Sequence, residues 1–348
     1  MRMLIRTTAR TLTVLAMMSA AAVAQRPASQ NAAPGKPADA TSRIVTAAQA
    51  LLATLDGAGR AKVQFPFEGP QKTRWSNLPS PMFERQGLRL GDLTPAQRTA
   101  VTTLLKTALS ADGYRKVTEI MQGDEVLKTG QGGRGGQLMF GADQYWLAFV
   151  GIPSTTAAWM LQFGGHHLAI NLTMAGSQST MAPSLPATQP AKFTIEGREI
   201  RPLGKENDKA FALINALDEK QRSQAILNYR VADLVLGPGH DGQVIQPEGV
   251  RASALTAAQQ AALLELIREW AGITTDAFAD PRMAELKANL PQTYFAWSGP
   301  ITNGSAAYFR IQGPTLVIEY APQRDSIDHI HTIYRDPTND YGAKFVAK

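Results

Sequence analysis

The sequence predicts an α+β fold: mainly antiparallel strands with helices packed on one side, in one joined body. Three observations carry that prediction. Two helix starts share a T-x-x-Q signature, Thr94–Gln97 and Thr256–Gln259, a capping box that satisfies two free backbone donors. Each is followed by aromatic-rich runs suited to strands, with Gly and Pro between them. These are Tyr145–Pro153 and Ala158–Gly165 in the first case, Thr293–Pro300 and Ala307–Gly313 in the second. Each series closes on a further strand-like run, His167–Asn171 or Thr315–Glu319. The spacing predicts two copies of a helix-plus-β-meander unit, 93–175 and 255–322. Two copies are too few for a solenoid.

The elements follow in order. Arg2, Arg6 and Arg10 precede an apolar run from Leu12 to Val23 that ends in Ala22-Val23-Ala24. A basic start, a short apolar core and an A-x-A site predict a secretory signal peptide over 1–24, hence an exported protein, periplasmic or extracellular. The run is short for a membrane span, which needs about 20 apolar residues. Residues 25–42, rich in Pro, Ala and Ser, predict a disordered linker, and 43–348 a single folded domain. Its first helix is expected at Ile44–Leu55 with Ser42 as N-cap. The segment FPFEGPQKTRWSNLPSPMFERQGLRLGDL then reads as a loop, and a loop that long inside a compact domain is either functional or wrongly assigned.

Pro95 suits the first position of the next helix, where its missing N–H is not required. Apolar residues follow at helical spacing: Val101, Leu104, Leu105 and Leu109 there, Leu263, Leu264, Ile267 and Trp270 in the second copy. The glycine-rich 130–137 lacks a Walker lysine and is read as a flexible loop. Between the copies a helix is expected around Ala210–Leu227, capped by Asn207 or Asp208, then a sharp loop at Val235–Gly242.

Composition narrows the chemistry. With 44% hydrophobic and 18% charged residues in 348, collagen-like, coiled-coil and wholly disordered classes are excluded. The net charge of +6 loses half its value if the leader is cleaved, since the leader holds three arginines and no acid. Nothing then argues for a nucleic-acid partner. The absence of cysteine removes disulfide scaffolds, thiol catalysis, thiolate zinc sites and iron–sulfur clusters.

Any transition-metal site must therefore use imidazoles and carboxylates, and the chain has five histidines. His329 and His331 form H-x-H in a strand-like run, where alternation puts both rings on one face. His166 or His167 adds a third ligand, because alternation sends one to each face. Asp328, Asp336, Glu319 or Asp241 supplies a carboxylate or a supporting partner. His240, in G-P-G-H-D-G, reads as a loop residue. Arg335 is a candidate anion clamp, and Asp336 or Asp340 a candidate acid–base group. In the early loop, Lys72, Arg74, Trp75, Asn77 and Arg85 are candidates to line a site for an anionic or sugar-like ligand. The plainer reading of these residues is structural: histidines that knit turns together, solvated charges and a packed tryptophan.

FPFEGPQKTRWSNLP, GGHHLAIN, GPGHDG and the terminal HIHTIYRDPTNDYG together resemble the uncharacterised family called domain of unknown function 3500, from about residue 43 to the C-terminus. The resemblance implies an exported bacterial protein or a related fungal one, and brings no catalytic residue with it. Two other H-x-H families do not match. Cupins follow H-x-H with a glutamate a few residues on, where this chain has only Asp336, and amidohydrolases carry H-x-H early, ahead of many βα units. No G-x-S-x-G elbow supports a serine hydrolase.

The functional expectation is an exported metal-dependent enzyme, hydrolytic, acting on a small or anionic substrate. Its divalent transition metal (Zn, Mn, Fe or Cu) would be held by His329, His331 and His166 or His167, with Arg335 and Asp336 as catalytic groups and Arg74, Trp75 and Arg335 on the substrate. The alternative is a periplasmic metal- or ligand-binding protein without turnover.

Overall fold

One order of elements occurs twice in this computed structural model, which describes residues 35–130 and 138–346. The expected leader, the first part of the expected linker and the glycine-rich 131–137 lie outside the described residues. The first series is α1 (Pro37–Ala53), α2 (Gly57–Val63), β1 (Gln64–Phe65), β2 (Leu88–Arg89), α3 (Pro95–Ala108), α4 (Ala111–Gly130), β3 (Tyr145–Val150), β4 (Trp159–Gly165) and β5 (Leu168–Ala175). A connector holds β6 (Gln178–Thr180), β7 (Leu185–Pro186), β8 (Phe193–Ile195) and β9 (Arg198–Ile200). The second series is α5 (Gly204–Ala216), α6 (Glu219–Ala225), β10 (Val250–Arg251), α7 (Ala257–Ala271), α8 (Asp276–Ala288), β11 (Tyr294–Ser298), β12 (Tyr308–Gly313) and β13 (Leu316–Pro322), with β14 (Ile330–Arg335) last.

The duplicated order thus begins at α1 and α5, well before the capping boxes. Thr94 and Gln97 form their box at the start of α3, Thr256 and Gln259 theirs at α7. Gly87 and Gly249 occupy corresponding places beside the central strands. They have φ of +113° and +100°, and a Cβ on either would come within 2.3 or 2.2 Å of the carbonyl oxygen of Leu147 or Phe295. Only glycine accepts both the left-handed backbone and that approach. This pair is a repeat signal that the aromatic runs do not contain.

Three helix boundaries differ from expectation. α1 starts at Pro37 because proline fits a first helical turn, Asp39 favours the helix N-terminus, and Ala40 and Thr41 are buried. Residues 37–42 therefore belong to the folded body and not to the linker. The stretch expected as one helix around Ala210–Leu227 is two. Asp218 caps α6 through a capping box with Gln221 and so breaks it from α5. Asp208 is no cap: its carboxylate pairs with Arg201 at 2.8 Å.

In the first sheet the order is β1-β3-β4-β5-β6, antiparallel except for β1 on β3, with β2 also on β3 and β7 on β5. The second is β10-β11-β12-β13-β14, antiparallel throughout. Alternation buries Tyr145, Leu147 and Phe149 against α1, α3 and α4, and Phe295, Trp297 and Phe309 against α5 and α7. The opposite face of the first sheet is covered as well, Val150, Met160 and Ala169 packing on Trp75, Ile333 and Tyr341.

A short segment joins the sheets. Ser184 and Tyr334 exchange backbone hydrogen bonds of 2.9 and 2.8 Å, and Thr188 and Ile330 do so at 2.9 and 3.0 Å. The same segment pairs antiparallel with the start of β5, at Leu168 and Ala169. Lying antiparallel to both, it makes β5 and β14 run the same way, so their first residues share one end. That end carries His166 and His167 on one side and His329 and His331 on the other. Among the described residues no helix is long and apolar enough to cross a membrane.

Candidate metal centre

His166 and His167 form the two-residue turn between β4 and β5, closed by pairing of Gly165 with Leu168. His167 has φ of +61°, a left-handed conformation that costs a non-glycine residue about 1 kcal/mol or more. The turn is held from several sides. The Ala187 N–H donates to the His167 carbonyl at 2.8 Å, and the Tyr145 hydroxyl donates to the His166 carbonyl at 2.8 Å. One amino group of Arg85 lies 2.7 Å from each of the carbonyls of Ser76, Leu78 and Gly165, sharing its two protons among them and tying the early loop to the hairpin. Burial pulls the Arg85 guanidinium down to about 10.

Across the junction, His329 immediately precedes β14 and His331 lies on it. The His329 Nε2 stands 2.9 Å from the His167 Nε2 and 3.0 Å from the His331 Nε2. The His331 Nδ1 donates to the Asp233 carboxylate at 3.2 Å, which leaves its Nε2 with a lone pair. Burial, reinforced by His331 and His166, depresses the His329 pKa to about 4. His167 is pushed well below its ordinary value by burial first and by His166 second. At neutral pH both are uncharged, the form in which imidazole binds metal. At these separations each Nε2 contact is either an N–H···N hydrogen bond or a pair of lone pairs that a cation between them would bind.

A second group comprises Asp124, His166 and His167. The His166 Nδ1 is 2.9 Å from Asp124 Oδ1, and the Tyr145 hydroxyl, whose one proton is shared with the His166 carbonyl, lies 2.9 Å from Oδ2. Although burial opposes it, the two imidazoles lower the Asp124 pKa, so the carboxylate is ionised. Ring spacing separates the two groups. An imidazole bound at about 2.1 Å has its ring centre roughly 3 Å from the ion, so two rings on one ion lie roughly 5 Å apart. The centres of His167, His329 and His331 are 4.9, 4.7 and 5.7 Å apart, whereas those of His166 and His167 are only 3.5 Å apart. The first group has the spacing for an ion. In the second, Asp124 acts as the hydrogen-bonded support behind the turn, and the His167 Nδ1, 3.6 Å from the same oxygen, has no other partner.

His167, His329 and His331, with His166, line an open pocket of about 780 Å³. Its lining also includes the apolar Leu78, Pro79, Met82, Leu127, Leu138 and Phe140 and the polar Gln189, Asp233, Gln323, Arg324 and Ser326. Asn77 places its carboxamide nitrogen 3.3 Å from the His331 Nε2. Arg324 and Asp325 have φ of +51° and +62°, so with His167 three of the five left-handed non-glycine residues among the described ones lie at or next to this junction.

Other expected site residues lie elsewhere. Arg335 is buried with its donors already engaged: Nε on Leu236, one amino group on Asp241 and Asp340, the other on Gly237. Asp336 pairs with Arg282 at 3.1 Å, and Glu319 accepts the Val235 and Leu236 N–H groups and the Tyr308 hydroxyl. Asp328 accepts the Ala191 N–H, and His240 bonds Gln243 in an exposed loop. The Trp75 indole donates to the Tyr341 hydroxyl at 2.7 Å, and Arg74 to the Glu84 carbonyl at 2.9 Å. These two border a cavity of only about 20 Å³ that shares no lining residue with the histidine pocket. Sequence reasoning missed Asp124, Asp233 and Gln323. Asp124 reads as part of a solvated helix face (GDEVLK), and no spacing rule ties Asp233 or Gln323 to a histidine.

Fold and cluster define a duplicated α+β protein whose buried histidine groups could hold a metal ion. The family profile described as "Protein of unknown function (DUF3500)" matches residues 37–343, and the chain belongs to that family. No curated protein and no solved structure matches it.

Proposed function

We propose that this protein is an exported metal-dependent hydrolase whose ion is held by the Nε2 atoms of His167, His329 and His331. The observation that supports this best is the convergence of the three nitrogens, at 2.9 and 3.0 Å, on the floor of an open pocket. Three imidazoles leave a fourth position free, and an ion so held would supply a Lewis acid and lower the pKa of water. Asp233 orients His331, and Asp124 with Tyr145 fixes the turn that presents His167. Arg324, on the pocket wall, is placed to attract an anionic group. The basic, apolar and A-x-A leader at 1–24 supports export.

The test is metal content followed by turnover. The chain lacking 1–24, stripped and then reconstituted separately with Zn, Mn, Fe and Cu, should retain one ion after dialysis, and His329→Ala or His331→Ala should retain none. The loaded protein should then hydrolyse a member of an ester, amide and phosphoester panel. Failure to retain any ion sinks the proposal. Tight stoichiometric metal without turnover favours a periplasmic metal- or ligand-binding protein.

A further inference from the structure

Exposed apolar side chains are concentrated at the mouth of the histidine pocket. Leu78, Met82 and Leu138 are 40, 60 and 44% exposed and line it, and Met139, 45% exposed, adjoins through its N–H bond to the Ser80 carbonyl at 2.8 Å. Three of the ten large apolar side chains that the described residues leave exposed thus line one pocket, and a fourth is the chain neighbour of one of them. Scattered single exposures need no explanation, but a contiguous patch beside a polar cluster marks a binding surface. The wall also continues inward. Leu127 lies below the mouth, and the Phe140 ring packs 5.0 Å from the His166 ring. The lining thus includes apolar side chains from the exposed Leu78 and Met82 to the buried Leu127 and to Phe140 against His166, together with the polar Gln189, Gln323, Arg324 and Ser326.

We infer that the pocket takes an amphipathic acyl compound, with its carbonyl or carboxylate end at the histidines and its hydrocarbon chain along Leu78, Met82, Leu127 and Phe140. This inference rests on the metal-centre reading and adds the substrate class to it. A purely polar ligand would leave that wall wet. An acyl chain covers it, and each methylene removed from water strengthens binding by up to about fourfold.

The probes are straight-chain alkyl hydroxamates, from acetohydroxamate to octanohydroxamate, titrated calorimetrically into the zinc-loaded protein, since the hydroxamate head chelates an open metal position. Affinity should rise about two- to fourfold per added CH₂ over several carbons. Met82→Asp and Leu78→Asp, both at exposed positions, should flatten that rise, read as the ratio of octanohydroxamate to acetohydroxamate affinity within each variant. An affinity independent of chain length overturns the inference, as does a rise that both variants leave intact. A protein that holds no zinc fails earlier, at the metal reading, so the two failures are distinguishable.

Discussion

At the tip between β4 and β5 stand His166 and His167; at the same place between β12 and β13 stand Pro314 and Thr315. The first turn is strained and carries ring nitrogens that face a pocket. The second is sealed by Arg282, whose guanidinium bonds the Thr315 hydroxyl and carbonyl, the Tyr334 hydroxyl, Asp336 and Glu285. The strands behind the turns differ in charge: the cross-strand pair Gln162–Asn171 of the first half, itself hydrogen-bonded at 3.0 Å, is Arg310–Glu319 in the second. One scaffold thus supports an open tip and a closed one.

The sharpest test of that contrast substitutes one residue at each tip. His167→Ala should abolish metal retention and leave a folded protein, because it removes a ligand and relieves no other partner. Arg282→Ala should do the reverse. Metal retention persists, and stability falls by about 3 kcal/mol as the buried Asp336 and Tyr334 lose their partner. Denaturant melts of the apo proteins, with metal content on the same samples, decide it, and equal metal loss in both variants would break the contrast.

A smaller effect tests the support behind the open tip. Asp124→Asn should weaken metal binding about 10- to 100-fold, with secondary structure unchanged by circular dichroism. Tyr145→Phe, which removes the one donor shared by Asp124 and the turn carbonyl, should cost about 1 kcal/mol and shift affinity less.

Acidification should produce the mildest effect. The His329 pKa falls from 6.5 to about 4 on folding, so between those values the unfolded chain binds a proton that the folded one refuses. Stability of the apo protein is therefore full above about pH 6.5 and declines as pH falls toward 4, and His167 acts in the same direction. The His329→Gln variant should show a shallower decline in thermal melts across that range, and an unchanged slope would contradict the placement of this ring.

Much of this was legible in the chain, for physical reasons that differ by element. Capping boxes and period-two aromatic runs are local signals, so α3, α7 and the meander strands could be read directly. His329 and His331 could be paired because i and i+2 share a face. What local pattern cannot show is which residues the joining segment brings together. The parallel alignment of β5 and β14 through residues 184–188 decides that His167, and not His166, meets the H-x-H pair. Nor does local pattern show that Arg335, four residues beyond His331, is taken up by Asp241 of the 235–242 loop and by Asp340. Asp124 was hidden for another reason: burial of one charged residue in a polar helical stretch leaves no mark on the sequence.

The central claim is that three imidazoles converge on one ion. X-ray absorption at the zinc edge of the reconstituted, dialysed chain tests it most directly. The account predicts one zinc per chain with three imidazole nitrogens at about 2.0–2.1 Å. A zinc-free protein, or an ion surrounded only by carboxylate and water oxygens, would contradict it.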